Sequence, residues 1–423
     1  MRIFSALALL VAMQPHFAAA APAESTPVSS PSPSSAISPS PTPTPSVEDE
    51  KLLREIEAAM PPSGATVRAP ATPPSPAGGI ALSNAFNPAF SLDGLFAASA
   101  FSSPDAKELG GHDPSPNGMN LQNLELTAQA NVDPYLRANA NIVFGLESVE
   151  VEEAYFTTVP LVDGLDLKAG QFFTWFGRQN QRHPHSWEFT DQNLVEILMF
   201  GPDGLRNPGV QASYLLPIPI FSEFIATVQD ARGPTAVSFL GESPARKPRH
   251  GGDLLYTGRL TVFIPAGDSL SVYLGTSAAT GPNPTSPDAR TVIAGADLYV
   301  KLAPAAAKGK FAYLQAEAIG RRYDVAKSRQ TDDGVYVQIG GRFAKRWETG
   351  VRFDETRSDR VLDPLLVDTW RHRTSVQLTF RPTEFSKFRL QGSDDFSPTF
   401  REGVTGLALQ FEFLIGAHGT HTF

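Results

Sequence analysis

The chain has 423 residues, a formal net charge of -9, 41% hydrophobic and 19% charged residues, and no cysteine. Zero cysteine excludes disulfides, thiolate metal sites and cysteine nucleophiles. The acidic balance argues against nucleic acid as a partner, because phosphate contacts need a basic face.

Met1-Arg2 precedes an apolar stretch, 3–13, and the small residues Ala18-Ala19-Ala20. This predicts a secretory signal over 1–20, with Pro22 disfavouring a cut after Ala21. Residues 21–46 are mostly Ser, Pro, Thr and Ala. Such a segment buries too little surface to fold and reads as a disordered, Pro-rich tether. A short helix is predicted over 47–60. Ser46 caps it, Glu48, Asp49 and Glu50 suit its positive end, and Pro61-Pro62 stops it. Leu53, Ile56 and Met60 have coiled-coil spacing. That fits a docking helix and a transient helix in a linker equally well. Residues 61–86 are linker again.

From 87 to 423 the period is two. Val292, Ala294, Ala296, Leu298, Val300 and Leu302 share one face, opposite Thr291, Asp297, Tyr299 and Lys301. Leu407, Leu409, Phe411, Phe413 and Ile415 alternate likewise with Gln410 and Glu412. Residues 149–159 alternate poorly, and their faces stay unassigned. About sixteen such segments occur, most able to supply the roughly 9–11 residues of a tilted membrane-crossing strand. Their starts fall near 90, 119, 134, 149, 165, 209, 222, 254, 268, 290, 310, 333, 346, 371, 384 and 403. Short turns such as Asn131-Val132-Asp133-Pro134 and Lys345-Arg346 alternate with mostly longer loops. The longer ones lie near 102–118, 176–208, 231–253, 278–290, 323–333, 355–371 and 394–402, with one short exception near 146–148.

This predicts an all-β fold, a transmembrane antiparallel β-barrel of about 16 strands. A soluble sandwich would have to bury the apolar face between sheets, which polar residues opposite make less economical. An even strand count puts both barrel ends on the short-turn side, the periplasm. The terminal Phe423 suits a chain handed to the barrel-assembly machinery.

The predicted lumen face carries Arg137, Lys168, Lys301, Arg342, Arg352, Arg373 and Arg389, with further cations at Arg259, Arg321, Arg381 and Lys387. Glu125, Asp166, Asp297, Glu317, Glu348, Asp354 and Glu412 share it. Arg342, Arg352, Arg373 and Arg389 fall on successive predicted strands, so they read either as an anion-attracting stripe or as a paired network stiffening the wall. The third long-side loop, 176–208, holds Arg178, Arg182, His183, His185, Glu188, Asp191 and Arg206. Its length and apolar stretch 194–200 predict that it folds into the barrel as a constriction. His183 and His185, two apart without a third ligand, read as ordinary loop histidines rather than a metal site. No nucleophile elbow, zinc-protease helix or phosphate loop occurs, so no catalytic residue, no enzyme and no cofactor is predicted.

The chain resembles outer-membrane porins related to the phosphate-selective porins. The resemblance rests on Ala169-Gly170-Gln171-Phe172, Phe176-Gly177, the run from Phe189-Thr190-Asp191 to Val195, and Gly209-Val210-Gln211. It is similar as well to chains labelled zinc-regulated, TonB-dependent outer-membrane receptors. There the telling stretches are Asn87-Pro88-Ala89-Phe90, Val151-Glu152-Glu153-Ala154-Tyr155 and Gly416-Ala417-His418-Gly419. The porin resemblance implies a sixteen-stranded channel for small hydrophilic solutes in the outer membrane of a Gram-negative bacterium. Outer-membrane lipid surrounds such a barrel, and a homotrimer is one possible assembly. The receptor label implies uptake of a metal or metal complex through a barrel of about 22 strands filled by a plug, whereas residues 21–86 read as tether and helix. The two functions stay open at this point.

Overall fold

Alternation of apolar and polar residues builds strands, and here the strands close on themselves. A computed structural model describes residues 88–416 except 104–108, 116, 147, 160–161, 244–247, 326–327, 359–369 and 399–402. The expected signal, tether, short helix and linker, and the closing residues 417–423, lie outside the described residues.

The first eight strands are β1 (Ala89–Phe101), β2 (Gly118–Asn131), β3 (Leu136–Phe144), β4 (Val149–Thr158), β5 (Leu165–Phe173), β6 (Arg206–Leu215), β7 (Ser222–Asp230) and β8 (Leu254–Ala266). The others are β9 (Leu270–Pro282), β10 (Arg290–Leu302), β11 (Phe311–Val325), β12 (Ser328–Ala344), β13 (Trp347–Ser358), β14 (Trp370–Thr383), β15 (Ser386–Phe396) and β16 (Val404–Gly416). Each pairs antiparallel with its sequence neighbour. β1 meets β16, from Ser91 opposite Gly416 to Phe101 opposite Gly406. Closure leaves no strand without a neighbour on either side, as a barrel in lipid requires, and the β4–β5 seam is short, paired only from Ala154 to Thr157.

The outward face is apolar and open. Val376, Leu378, Ile339, Val351, Leu407 and Leu409 are all exposed. Aromatic rings bracket this band. At the short-turn end Trp347 meets Phe380 at 4.7 Å and Phe388 meets Phe411 at 4.8 Å. At the other end Trp370 stacks on His372 and Phe396. From Trp370 to Phe380, at about 3.3 Å per residue and a tilt near ~40°, the rise along the barrel axis is about 25 Å. That is the height of a lipid-facing band with aromatic girdles.

Several boundaries differ from the sequence reading by a few residues, and two of them have a physical lesson. The loop expected near 323–333 is largely strand, because β11 runs to Val325 and β12 starts at Ser328. Above the apolar band both faces meet water, so the outward positions become charged (Arg322, Arg329) while pairing continues. Charge on both faces had read as a loop. Secondly, the third loop ends at 205, and Arg206 is the first residue of β6, buried and paired with Phe173 of β5.

The poorly alternating stretch at 149–159 has a physical cause. The β3–β4 register slips between Asn141 and Ile142, with Asn141 opposite Glu153 and Ile142 opposite Val151. This bulge leaves Glu152 and Glu153 both buried on the lumen side. A second slip, between Leu95 and Phe96, does the same for Gln122 and Asn123.

A band in lipid predicts that Val376→Arg, near the middle of β14, costs about 2–4 kcal/mol. Denaturant unfolding in lipid vesicles measures this. A change within error would mean that Val376 does not face hydrocarbon.

Candidate functional site

The lumen of a sixteen-stranded barrel is wide enough for water, so a loop crossing it must be held from several sides. The third loop, 174–205, is held by the wall on three. It leaves β5 through Phe176-Gly177. Gly177 has φ +62°, and a Cβ there would lie 2.1 Å from a carboxylate oxygen of Glu317. Only glycine permits this approach. Its N–H donates to Ser277 Oγ (3.1 Å), and the N–H groups of Arg178 and Gln179 donate to Glu317 Oε1 (3.1 and 2.8 Å).

The second anchor is Asp191. Its carboxylate accepts from Arg352 (3.0 Å), Arg373 (2.5 Å) and Gln391 (2.7 Å), which project from β13, β14 and β15. Burial opposes its charge, but Arg352 and Arg373 outweigh that and hold the carboxyl below its ordinary range. Beside it, Arg389 donates to the carbonyls of Phe189 (3.1 Å) and Trp187 (2.9 Å). Lys387 donates to the carbonyl of His185 (2.6 Å).

The third anchor joins the loop to β2 and β4. His183 Nδ1 lies 2.8 Å from Glu152 Oε2, and its Nε2 lies 3.0 Å from Glu153 Oε2. His185 Nδ1 is 3.2 Å from Glu125 Oε2. Burial favours the neutral His183 ring, yet Glu125 and Glu152 overcome it and raise the imidazole well above its ordinary value.

Between the anchors lies an apolar filling. Helix α1 (Leu194–Phe200) is buried along its whole length and is capped by Asn193, whose side chain accepts from the Glu196 N–H at 2.8 Å. Its carbonyl end receives Arg321, which donates to Leu198 at 2.9 Å. Val195, Met199 and Phe200 join Phe176, Ala236, Phe239 and Leu240 in one cluster that also takes Leu255, Ile293 and Ile319 from the wall. Residues 236–240 belong to the fourth long loop, so that loop folds inward too. The first long loop contributes Leu109, which packs on Leu194 and Ile197. Sequence reasoning missed both. The signals were the apolar Ala236-Val237-Ser238-Phe239-Leu240 and the inward phase of Ile293 and Ile319.

The expected basic stripe divides. Arg352, Arg373 and Arg389 are covered by the loop, and only Arg342 remains partly open, paired with Glu348 at 2.6 Å. Arg352 further bonds Asp354 at 2.8 Å, and Arg373 bonds Asp395 at 2.9 Å. The physical reason is that a carboxylate descends onto this wall in the loop, which strand alternation alone does not reveal. Lys168 sits 4.5 Å over the ring of Tyr155, and Lys301 sits 5.1 Å over that of Phe311. Arg137 is exposed. On the loop, Arg178 lies 3.9 Å over Tyr299, and Arg182 pairs with Glu188 at 2.7 Å. Arg206 meets Glu152 at 2.9 Å and also bonds Glu150.

No protein-family model matches the sequence. An uncharacterized protein of Aquifex aeolicus (strain VF5) is 32% identical over 341 residues, covering 72% of this chain and 70% of its own length. The chain belongs to the family of that Aquifex protein. Among solved structures, the outer membrane channel DcaP of Acinetobacter baumannii has a TM-score of 0.54 at 12% identity, covering 77% of this chain and 96% of its own. An anion-selective porin from Comamonas acidovorans has a TM-score of 0.50 at 9% identity, covering 78% and 100%. Pseudomonas putida OprB has a TM-score of 0.50 at 11% identity, covering 78% and 94%. At such identities the likeness shows the fold, the closed barrel of outer-membrane porins.

Asp191→Asn removes two buried ion pairs and leaves two arginines short of a partner, a loss of about 3–5 kcal/mol in loop anchoring. Protease added to the folded variant is expected to cut within 174–205 much faster than in the parent. Equal cutting would show that the loop is held elsewhere.

Glu196 offers a pH test. Its two carboxylate oxygens are buried without a hydrogen-bond partner. Burial, then Glu317 and Asp297, push its carboxyl well above the ordinary value. The folded protein thus keeps a proton that the unfolded chain releases above about pH 4.3. Stability from this group is full below that pH and declines as pH rises towards the folded value. Glu196→Gln should flatten the dependence of Tm on pH between 5 and 8 and raise Tm at pH 8. A lower Tm at pH 8 would contradict this protonation.

Proposed function

We propose that the chain is an outer-membrane channel for small hydrophilic solutes, with mild anion preference set beneath the constriction. The observation that carries this reading is the contrast between the two levels of the lumen. At loop height the arginines of the wall are buried and paired with carboxylates or loop carbonyls. At the short-turn end Arg137, Lys168, Lys301, Arg342 and Arg381 stay open or half-open. Asp166, Glu223, Glu348 and Glu412 are the lumen-facing carboxylates at this level, and Glu412 is bonded by the buried Lys387. Arg342 and Arg381 share the single carboxylate of Glu348, at 2.6 and 3.1 Å. A cation-rich, water-filled vestibule with low-dielectric walls enriches anions. Selectivity thus comes from this lower ring, and Arg352, Arg373 and Arg389 serve to hold the loop.

The same reading gives the chain a periplasmic N-terminal tether, delivery by the barrel-assembly machinery, and either a single barrel or a homotrimer as its working form. The rival, an energised receptor for a metal complex, calls for a plug. Among the described residues, the segments that pack inward on the lumen wall are the barrel's own loops.

Purified full chain in planar bilayers should give discrete conductance steps and a reversal potential favouring anions. Arg137→Glu combined with Lys301→Glu should shift that potential towards cations while leaving the barrel folded. Absence of conductance, or a potential that the double variant does not move, would overturn the proposal.

A further inference from the structure

The junction of the constriction loop with β2 and β4 is built unlike the rest of the clamp. Elsewhere backbone N–H groups, arginines or Lys387 meet carboxylates or carbonyls. Here three carboxylates, Glu125, Glu152 and Glu153, converge on two imidazoles. Glu125 and Glu152 are almost fully buried, at 1% and 2% side-chain exposure. The bulge that turns both Glu152 and Glu153 inward interrupts the alternation of β4. Bulges of this kind recur beside functional sites, where they re-aim a side chain.

Each carboxylate aims one oxygen at His183 and has the other occupied, and Glu125 Oε2 also accepts from the Asn123 side-chain amide at 3.4 Å. Glu125 Oε1 accepts from Thr127 Oγ1 (3.2 Å) and from the Asn141 amide. Glu152 Oε1 accepts from Arg206 (2.9 Å). Their Oε2 atoms lie 3.3 and 2.8 Å from His183 Nδ1, and the three ligand atoms all fall within 4.8 Å of one another. With bonds of about 2.0–2.1 Å, a tetrahedral ion has ligand–ligand edges of about 3.3 Å. The far nitrogen of His183 faces Glu153 at 3.0 Å. That is the outer carboxylate which fixes ring and tautomer when a histidine binds metal. His185 Nδ1, 3.2 Å from the same Glu125 oxygen, stands where a fourth ligand belongs.

We propose that Glu125, Glu152 and His183, with His185 or water as the fourth ligand, form a divalent metal site that ties the constriction loop to the wall. Imidazole with carboxylate suits Zn²⁺ or a neighbouring first-row ion better than Ca²⁺ or Mg²⁺, which take oxygen donors. Binding displaces the proton from His183 Nδ1 to solvent and leaves the one on Nε2 donating to Glu153. The site does not depend on what the channel transports.

The test uses the full chain, folded in detergent and stripped with chelator, with Zn²⁺ alone as the probe. Calorimetry should show one equivalent bound per barrel. Glu125→Gln and His183→Gln should each weaken binding at least tenfold, while His250→Gln, at an exposed histidine, should not. Heat-modifiable gel mobility reports whether each variant is folded. Should both misfold, X-ray absorption at the zinc edge of the loaded parent reads the ligands directly. One or two imidazoles with oxygens are expected. A shell of oxygens alone, no stoichiometric binding by the parent, or variants that bind as tightly as the parent would overturn the site.

Discussion

A carboxylate carried into the middle of a wide barrel must find cations there or stay in water. Asp191 finds Arg352 and Arg373, and much of the lumen is arranged around that meeting. Taking three charges out of water costs several kcal/mol per ion, offset only when each keeps well-aligned partners. Arg352 and Arg373 do so through Asp354 and Asp395, on their own and the neighbouring strand. The loop is thereby fixed at one height, its backbone carbonyls fall over Arg389, and α1 is delivered to the apolar patch on β8–β12. Below that height the wall is free to face water.

The barrel itself was legible because a membrane forces one rule on every strand. Leu298 and its neighbours must alternate lipid with lumen, and the turns must alternate short with long. Register slips break the rule locally, and the reading failed there: at 149–159 no face could be assigned, because Glu152 and Glu153 share one. It failed again where the chain leaves the lipid, since the charged outward residues of β11 and β12 obey water on both sides.

The site was legible only by half. Face assignment found Arg352, Arg373 and Arg389, and length with apolar content found the loop. What joined them was hidden, because Asp191 and Arg352 lie 161 residues apart and no periodicity couples them. A lumen face is expected to be polar, so inward Ile293 and Ile319 carried no meaning until two loops covered them. Histidines two apart looked ordinary for the same reason. Their carboxylate partners come from β2 and β4, and two of these lie in a bulge.

The absence of cysteine permits a direct measurement of the clamp. Ser375 lies on β14 between Arg373 and Gln377, inward and wholly buried. A Ser375→Cys variant can be challenged with a charged, membrane-impermeant maleimide and compared with Lys301→Cys in the open lower lumen. A loop held across the lumen by Asp191 predicts that the cysteine at 375 is protected while the one at 301 reacts quickly. Equal, rapid modification of both would show that the loop does not stay on this wall.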